Sequence, residues 1–396
     1  MLTVRQPDTR QKIALLGSAA RYDVMGADEA CGRPGGAEKR VSEELARYLF
    51  RPAGRGSAAP LLKVLLTDAC ENSCLYCACR AGRDAHRHAF EPEELANAFL
   101  EMYRRGQASG LFLSSGLAGN PLRTMEKMLH TVEILRRRHR FPGFIHLKIL
   151  PGATEEYVEA ASRLADRVSA NLEAPNPARL ATLCPDKQYH ADLERPLQQV
   201  ARLRRQGPVL PFGQTTQFVV GASGESDGEI LETVGRLYAE VNLTRAHFSA
   251  FRPIPGTPLE GYSPTPMVRQ WRLYQADALL RQYGFAAGEL VLDPEGNLPA
   301  ARDPKLEWAL GHPERFPVEV NRAARGELLR VPGIGPRAAN ALLRLRRSGR
   351  ITNPDSLKGL QIQLSRAAPF LLVDGRRLAP ERPIQLGMVL PEGEKP

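Results

Sequence analysis

Long apolar runs are missing from this 396-residue chain. No stretch reaches the roughly 18 apolar residues that a membrane-spanning helix needs, so a helix-spanning membrane protein is not expected. The first residues, Met1-Leu2-Thr3-Val4-Arg5-Gln6-Pro7-Asp8, hold no apolar core of signal-peptide length. The expected location is therefore the cytoplasm. Cysteine is scarce, with six residues in the chain, and a reducing compartment disfavours a disulfide framework. Acidic residues are outnumbered, 44 against 54 Lys and Arg, which leaves a formal net charge of +10 and favours a polyanionic partner. Apolar and charged contents of 43% and 25% are those of an ordinary globular protein. The length suits one large domain and a small one.

What cysteine there is, is concentrated. Cys70-Glu71-Asn72-Ser73-Cys74-Leu75-Tyr76-Cys77 follows the apolar run Leu61-Leu62-Lys63-Val64-Leu65-Leu66-Thr67, which reads as a buried strand. Three thiols thus share one loop at a strand's C-terminal end. Three thiolates this close can hold three irons of a cubane and leave the fourth iron without a protein ligand, whereas Fe–S clusters usually have four cysteines. A structural zinc, with a fourth ligand from Cys79, His86 or His88, is the alternative, but zinc ligands usually come as separated pairs. Cys31 and Cys184 stand alone, and a lone cysteine is usually a small buried hydrophobe.

The spacing CxxxCxxC, with an aromatic before the last cysteine, resembles the loop of the radical S-adenosylmethionine (radical SAM) superfamily. The resemblance implies a [4Fe-4S] cluster on Cys70, Cys74 and Cys77. It implies that S-adenosylmethionine binds the open iron through its methionine amine and carboxylate, and that one electron cleaves it to a 5′-deoxyadenosyl radical. An electron donor of the flavodoxin or ferredoxin type follows from the same chemistry.

Beyond the loop, strands and helices alternate. Strands are predicted at Leu111–Leu113, Ile145–Leu150, Val168–Leu172, Gln214–Val220 and Ala246–Phe251. Helices are predicted from Pro92 to about Gly106, from Thr124 to Arg138, from Thr154 to Leu164, over Leu193–Arg205, and from Ser226 to Val241. Six strands alternating with helices argue for a parallel sheet with right-handed crossovers. The expected fold class is α/β: a partial (β/α)6 TIM-like barrel of the radical SAM type, with its site at the C-terminal strand ends, and a small all-α helix-hairpin-helix domain at the C-terminus. Before the barrel, short helices are predicted over Gln11–Ala20 and Val41–Phe50. The expected divisions are an N-terminal extension 1–59, a barrel 60–290, a linker 291–316, a helical domain 317–375 and a tail 376–396. Further helices are predicted over Met267–Tyr283 and Lys305–Leu310.

Several strand ends offer cofactor contacts. Ser114-Ser115-Gly116 stands where the superfamily commonly has a Gly-Gly-Glu-like turn for the methionine ammonium, though here without Glu. Asn171 and Glu173 are two apart and share a face, a carboxylate and an amide suited to ribose hydroxyls. His146 and Lys148 also share a face and are candidates for a SAM carboxylate or substrate. Gly221-Ala222-Ser223-Gly224 resembles the superfamily's glycine-rich segment near adenine, and Glu229 fits the same pattern. Ser226-Asp227-Gly228-Glu229 is equally a capping box. Tyr76 is placed for adenine, Cys79 for hydrogen-atom donation or nucleophilic attack, and Arg252 for an anionic substrate group.

The second motif lies in the basic tail. Between Val320 and Arg350 eight arginines face one acid, Glu327. Within that stretch Leu328-Leu329-Arg330-Val331-Pro332-Gly333-Ile334-Gly335-Pro336-Arg337-Ala338-Ala339 reads as two helices joined by a glycine turn. A helix that starts at Pro336 presents free N–H groups and positive dipole, a phosphate site. The segment resembles the helix-hairpin-helix motif of DNA repair proteins, with Arg330, Gly333, Gly335, Arg337, Arg344 and Arg347 as its DNA-binding residues and a degenerate second copy over Asn353–Leu372. With Leu-Phe-Leu-Ser-Ser-Gly and Asn-Leu-Glu-Ala-Pro, the whole is similar to radical SAM proteins provisionally described as DNA modification or repair proteins, which are often linked to a uracil-DNA-glycosylase-like partner. The expected function is radical modification or repair of a DNA nucleotide. The alternatives are the same chemistry on RNA, such as tRNA, and a non-catalytic iron–sulfur accessory protein.

Overall fold

The structure, a computed structural model, describes residues 7–20, 49–50 and 60–378. Cys31 and the predicted tail beyond residue 378 lie outside the described residues. By contacts the chain divides into two compact units. One comprises the chain to Glu225 with Arg236–Gln270. The other comprises Ser226–Gly235 with the chain from Trp271 onward.

The first unit is built on seven strands paired in sequence order: β1 Leu49–Phe50, β2 Leu61–Leu65, β3 Gly110–Ser114, β4 Phe144–Lys148, β5 Arg167–Ser169, β6 Gln214–Val220 and β7 Arg245–Ala250. β2 to β7 are parallel, giving the six-stranded half-barrel expected from the alternation. β2, β3 and β6 are buried along their whole length; β2 and β3 are largely apolar, as strands covered on both faces are, whereas β6 begins Gln214-Thr215-Thr216-Gln217. β1 pairs antiparallel with β2, Leu49 opposite Leu62 and Phe50 opposite Leu61. This corrects the helix predicted over Val41–Phe50 at its end: the edge of β2 recruits Leu49 and Phe50 as strand. The rest of that prediction lies outside the described residues.

The helices follow their punctuation. Pro92–Arg104 begins at its proline and buries Leu95, Phe99 and Met102. The helix predicted from Thr124 starts three residues earlier, at Pro121, because the Asn120 side chain accepts from Leu122 N at 2.9 Å. It continues into a π-turn, Ile134–Arg138. Ser226 and Glu229 form a reciprocal capping box, with bonds of 2.8 and 3.2 Å, at the head of Asp227–Glu240.

Of the Arg136-Arg137-Arg138 tract, Arg136 is drawn into the fold while Arg137 and Arg138 are exposed. Arg136 donates to the carbonyls of Phe141, Gly143 and Leu164 and pairs with Asp166 at 2.5 Å. Asp166 also accepts from Ile145 N at 2.7 Å. One guanidinium thus fixes the start of β4 to the turn that leads into β5.

The second unit packs around Trp308 on helix Pro304–Gly311. Phe285, His312 and Phe316 surround its indole. Helices Arg325–Arg330 and Pro336–Ser348 follow. The chain from 317 is not purely helical, which corrects the all-α expectation. β8 Val318–Glu319, β9 Leu371–Val373 and β10 Arg376–Arg377 form a three-stranded sheet in the order β10-β9-β8. Leu371 and Val373 alternate inward with Leu372 between them, a period of two that a short apolar run does not advertise beside helical neighbours. The region of the suggested second hairpin copy forms only short helical turns, Pro354–Leu357 and Leu364–Ala367.

Arg136→Ala leaves several part-buried carbonyls and Asp166 without their partner. It is expected to lower stability by about 3 kcal/mol, read as a reduced urea midpoint. The same change at exposed Arg137 is expected to stay within about 0.5 kcal/mol of wild type.

Candidate functional site

The cysteine loop lies directly past the C-terminal end of β2 and is held on three sides. From β3, Leu66 N bonds Ser114 O, Gly116 N bonds Thr67 O and Glu71 N bonds Leu117 O, at 2.7–2.8 Å. Gly116 must be glycine: a Cβ there would lie 2.3 Å from the Ala69 carbonyl and 3.2 Å from Cys70 Cβ. From the segment after the loop, Arg87 donates to the carbonyls of Asp68 and Arg80 at 2.8 Å, and Arg83 to Ala78 O at 3.2 Å. From the far side of the half-barrel, Leu75 N bonds Leu183 O at 2.9 Å. There the Asp186 carboxylate accepts from the Ser73 backbone N–H and from its hydroxyl.

One cavity, about 870 Å³ with its open mouth included, is lined by Cys70, Cys74, Tyr76, Cys77, Cys79, Ser114, Ser115, Gly116, Lys148, Asn171 and Glu173. The structure thus brings the three loop cysteines together with most of the predicted cofactor residues. Lys187 and Gln217 also line it, and sequence reasoning passed over both. Others fall elsewhere. His146 is buried on β4 with its ring against Phe112, and neither ring nitrogen has a hydrogen-bond partner. Burial, followed by the nearby Arg167 charge, holds its pKa well below the ordinary histidine value. Gly221, at φ +87°, packs so tightly that a Cβ would meet Thr265. Arg252 is exposed beyond β7. Asn171 and Glu173 are not on a strand as predicted: β5 ends at Ser169. Glu173 sits at φ +64° and bridges to Phe218 on β6. Its N–H reaches Gln217 O and its carbonyl accepts from Val219 N, at 2.9 and 2.8 Å. Those two bonds hold a non-glycine residue in a left-handed conformation that would otherwise be strained.

The thiols differ electrostatically. A hydrogen bond from the Cys184 thiol lowers the Cys74 pKa to about 6, and the Lys187 charge adds to the effect against burial. Burial raises Cys70. The Cys79 thiol, with burial, raises Cys77 well above the usual range. His88, one of the alternative zinc ligands, is bonded to Asp68 through its ring at 3.2 Å and its backbone at 2.6 Å, and His86 is exposed. Among the described residues no three His, Cys, Asp or Glu side chains converge on one ion-sized point. The loop cysteines instead surround a space, which suits a body of several atoms better than one ion. Buried atoms aimed at the same space lack partners: Ser115 Oγ and Glu173 Oε2. A soft three-sulfur set beside unpaired acceptors fits a cluster and an amine- and hydroxyl-bearing cofactor.

Residues 64–237 match the profile of the radical SAM superfamily. They form a radical SAM domain. Domains of this superfamily carry a [4Fe-4S] cluster and use S-adenosylmethionine, and here Cys70, Cys74 and Cys77 line one cavity. A threonylcarbamoyladenosine tRNA methylthiotransferase from Thermotoga maritima is 27% identical over 203 residues, 49% of this chain and 44% of that protein. The chain therefore spans less than half the length of that curated relative. Among solved structures, the FeFe-hydrogenase maturase HydG from Carboxydothermus hydrogenoformans is similar at 15% identity and TM-score 0.43, over 55% of this chain and 50% of that one. Methylornithine synthase is similar at 14% identity and TM-score 0.44, over 55% and 60%.

Outside the radical SAM domain, helices Arg325–Arg330 and Pro336–Ser348 are joined through Gly333, at φ +82°, where a Cβ would strike Gln363 O at 2.6 Å. Gly333 O in turn accepts from Gln363 N at 3.0 Å. The buried Lys305 ammonium bonds Ile334 O at 2.5 Å, and burial brings its pKa down to about 7. Gly335 caps the second helix with no side chain of its own. Arg337, Arg344 and Arg347 are exposed along that helix. Arg330 is engaged inside the unit: it pairs with Glu289 at 3.0 Å and lies over Phe285, 3.7 Å from the ring centroid.

Gly116→Ala should push Ala69 and Cys70 out of place. After anaerobic reconstitution we expect iron and sulfide per chain to fall at least several-fold, approaching a Cys70→Ala control, while Gly207→Ala, where a Cβ meets nothing within 4 Å, leaves uptake much closer to wild type.

Proposed function

We propose that this protein is a radical SAM enzyme that modifies or repairs a nucleotide within DNA. One juxtaposition in the sequence carries the reading: a three-cysteine loop at the mouth of a half-barrel shares its chain with a glycine-turned pair of helices bearing exposed arginines. In this reading Cys70, Cys74 and Cys77 hold the cluster. Bound there, a cluster and S-adenosylmethionine supply a carbon-centred radical able to abstract hydrogen from an unactivated position. The chain's own residues do the rest. Ser114, Ser115 and the backbone near Gly116 accept hydrogen bonds from the cofactor's ammonium, and Glu173 and Asn171 accept its hydroxyls. The wall between Tyr76 and Leu150 limits water. Helix Pro336–Ser348 offers its first N–H groups to a phosphate, with Arg337, Arg344 and Arg347 adding charge. Contacts of this kind hold the polymer without reading its sequence, and a target inside a duplex would be flipped out. A flavodoxin- or ferredoxin-type donor supplies the electron, and a uracil-DNA-glycosylase-like protein is a candidate partner.

A second reading is the same chemistry on RNA, favoured by the tRNA methylthiotransferase named above. A hairpin that grips phosphates suits either polymer.

Reconstituted protein given dithionite and S-adenosylmethionine is expected to release 5′-deoxyadenosine, and Cys74→Ala to release none above background. Equal yields from both would reduce the protein to an iron–sulfur accessory. Mass spectrometry of nucleosides from DNA and from RNA incubated with the enzyme then assigns the substrate, and product confined to RNA would replace the DNA reading. Arg337→Ala with Arg344→Ala is expected to weaken duplex binding and to flatten the dependence of log affinity on log salt by about two contacts' worth. An unchanged slope would assign the helix pair to packing.

A further inference from the structure

From the linear chain alone Cys184 had no role, and Asp186 and Lys187 did not stand out. The fold carries the short turn that contains them, Leu183-Cys184-Pro185-Asp186-Lys187, against the cysteine loop. Every residue of the turn but the proline touches the loop or its surroundings. Leu183 O takes Leu75 N, and Asp186 takes both Ser73 donors. Cys184 is fully buried. Lys187 lines the cavity, with its side chain 8% exposed, and meets Glu173 Oε1 at 3.4 Å. The turn is itself pinned by Cys184 N to Leu180 O at 2.7 Å and Lys187 N to Cys184 O at 3.1 Å.

A lysine this buried needs a reason, because removing an ammonium from water is costly unless negative charge faces it. Glu173 provides part of that charge, through one carboxylate oxygen. Cys70, Cys74 and Cys77 line the same cavity, and Lys187 and Lys148 are the cations lining it. Hydrogen bonds to the sulfurs and nearby charge are the levers by which a protein sets such a cluster's potential.

Resting on the radical SAM reading, we propose that Leu183–Lys187 forms the second wall of the cluster site, with Lys187 as a positioning residue that raises the reduction potential of a cluster on Cys70, Cys74 and Cys77. A cation beside the core stabilises the more negative, reduced state.

The test is a dithionite titration of the full-length, anaerobically reconstituted protein, followed by electron paramagnetic resonance, with iron and sulfide measured in parallel. Lys187→Met is expected to lower the reduced-to-oxidised ratio at fixed ambient potential about tenfold, which is ~59 mV for one electron. Lys187→Arg should stay near wild type. A wild-type potential in Lys187→Met, at full cluster content, would overturn the proposal. Loss of iron in Lys187→Met with retention in Lys187→Arg supports it as a charge effect. Equal loss in both overturns it in favour of simple packing. Wild-type protein that takes up no cluster at all would overturn the radical SAM reading and this proposal together.

Discussion

Three cysteine side chains have to be kept facing one cavity inside a protein. Most of the first unit's local geometry answers to that constraint. A loop of eight residues cannot hold three sulfurs apart by itself, since its backbone spends few hydrogen bonds internally. It borrows them from β3, from the arginines at 83 and 87, and from the turn at 183–187. The half-barrel supplies these because its strand ends converge where the loop begins. Parallel strands in sequence order put every βα turn at the same edge. Elements remote in sequence then close on a single space.

Electrostatics divides the chain's basic residues into two kinds. Some are consumed by the fold. Arg136 ties β4 to the turn before β5, Arg330 lies over an aromatic ring beside Glu289, and Lys305 satisfies the Ile334 carbonyl. Others, including Arg337, Arg344 and Arg347, stay exposed on one helix. The formal charge of +10 is therefore a poor measure of what could meet a polyanion. The exposed subset is the relevant quantity.

Legibility in the sequence followed the range of the interactions. Among the six parallel strands, β2 and β3 were readable because each is a short, largely apolar run, and the later ones because they alternate with helical stretches, signals carried by near neighbours. Pro92, the Ser226–Glu229 pair and the glycine turn at 333–335 were readable for the same reason. The start of the helix at Pro121 was misplaced because Thr124 and Asn120 are both acceptable caps, and only the observed Asn120–Leu122 bond decides between them. The small sheet formed by β8, β9 and β10 was missed because Val318 and Leu371 pair across about fifty residues of chain. β5 was read three residues past its end because the alternation of Val168, Ala170 and Leu172 continues after the ladder stops at Ser169.

The cavity shows the same division most clearly. Spacing alone located Cys70, Cys74 and Cys77, since three ligands within eight residues leave their mark on the linear chain. Which other groups face them was a question of folding. His146 pointed into the sheet's packing and Arg252 toward solvent, while Lys187 and Cys184, more than a hundred residues from the loop, arrived beside Cys74. The chain's order thus determined its alternation of strand and helix, the ligand loop and the glycine hinge of the basic helices. The tertiary structure alone decided which charge sits against which sulfur, because burial and Coulomb interaction depend on distance through space, and a linear sequence does not contain that distance.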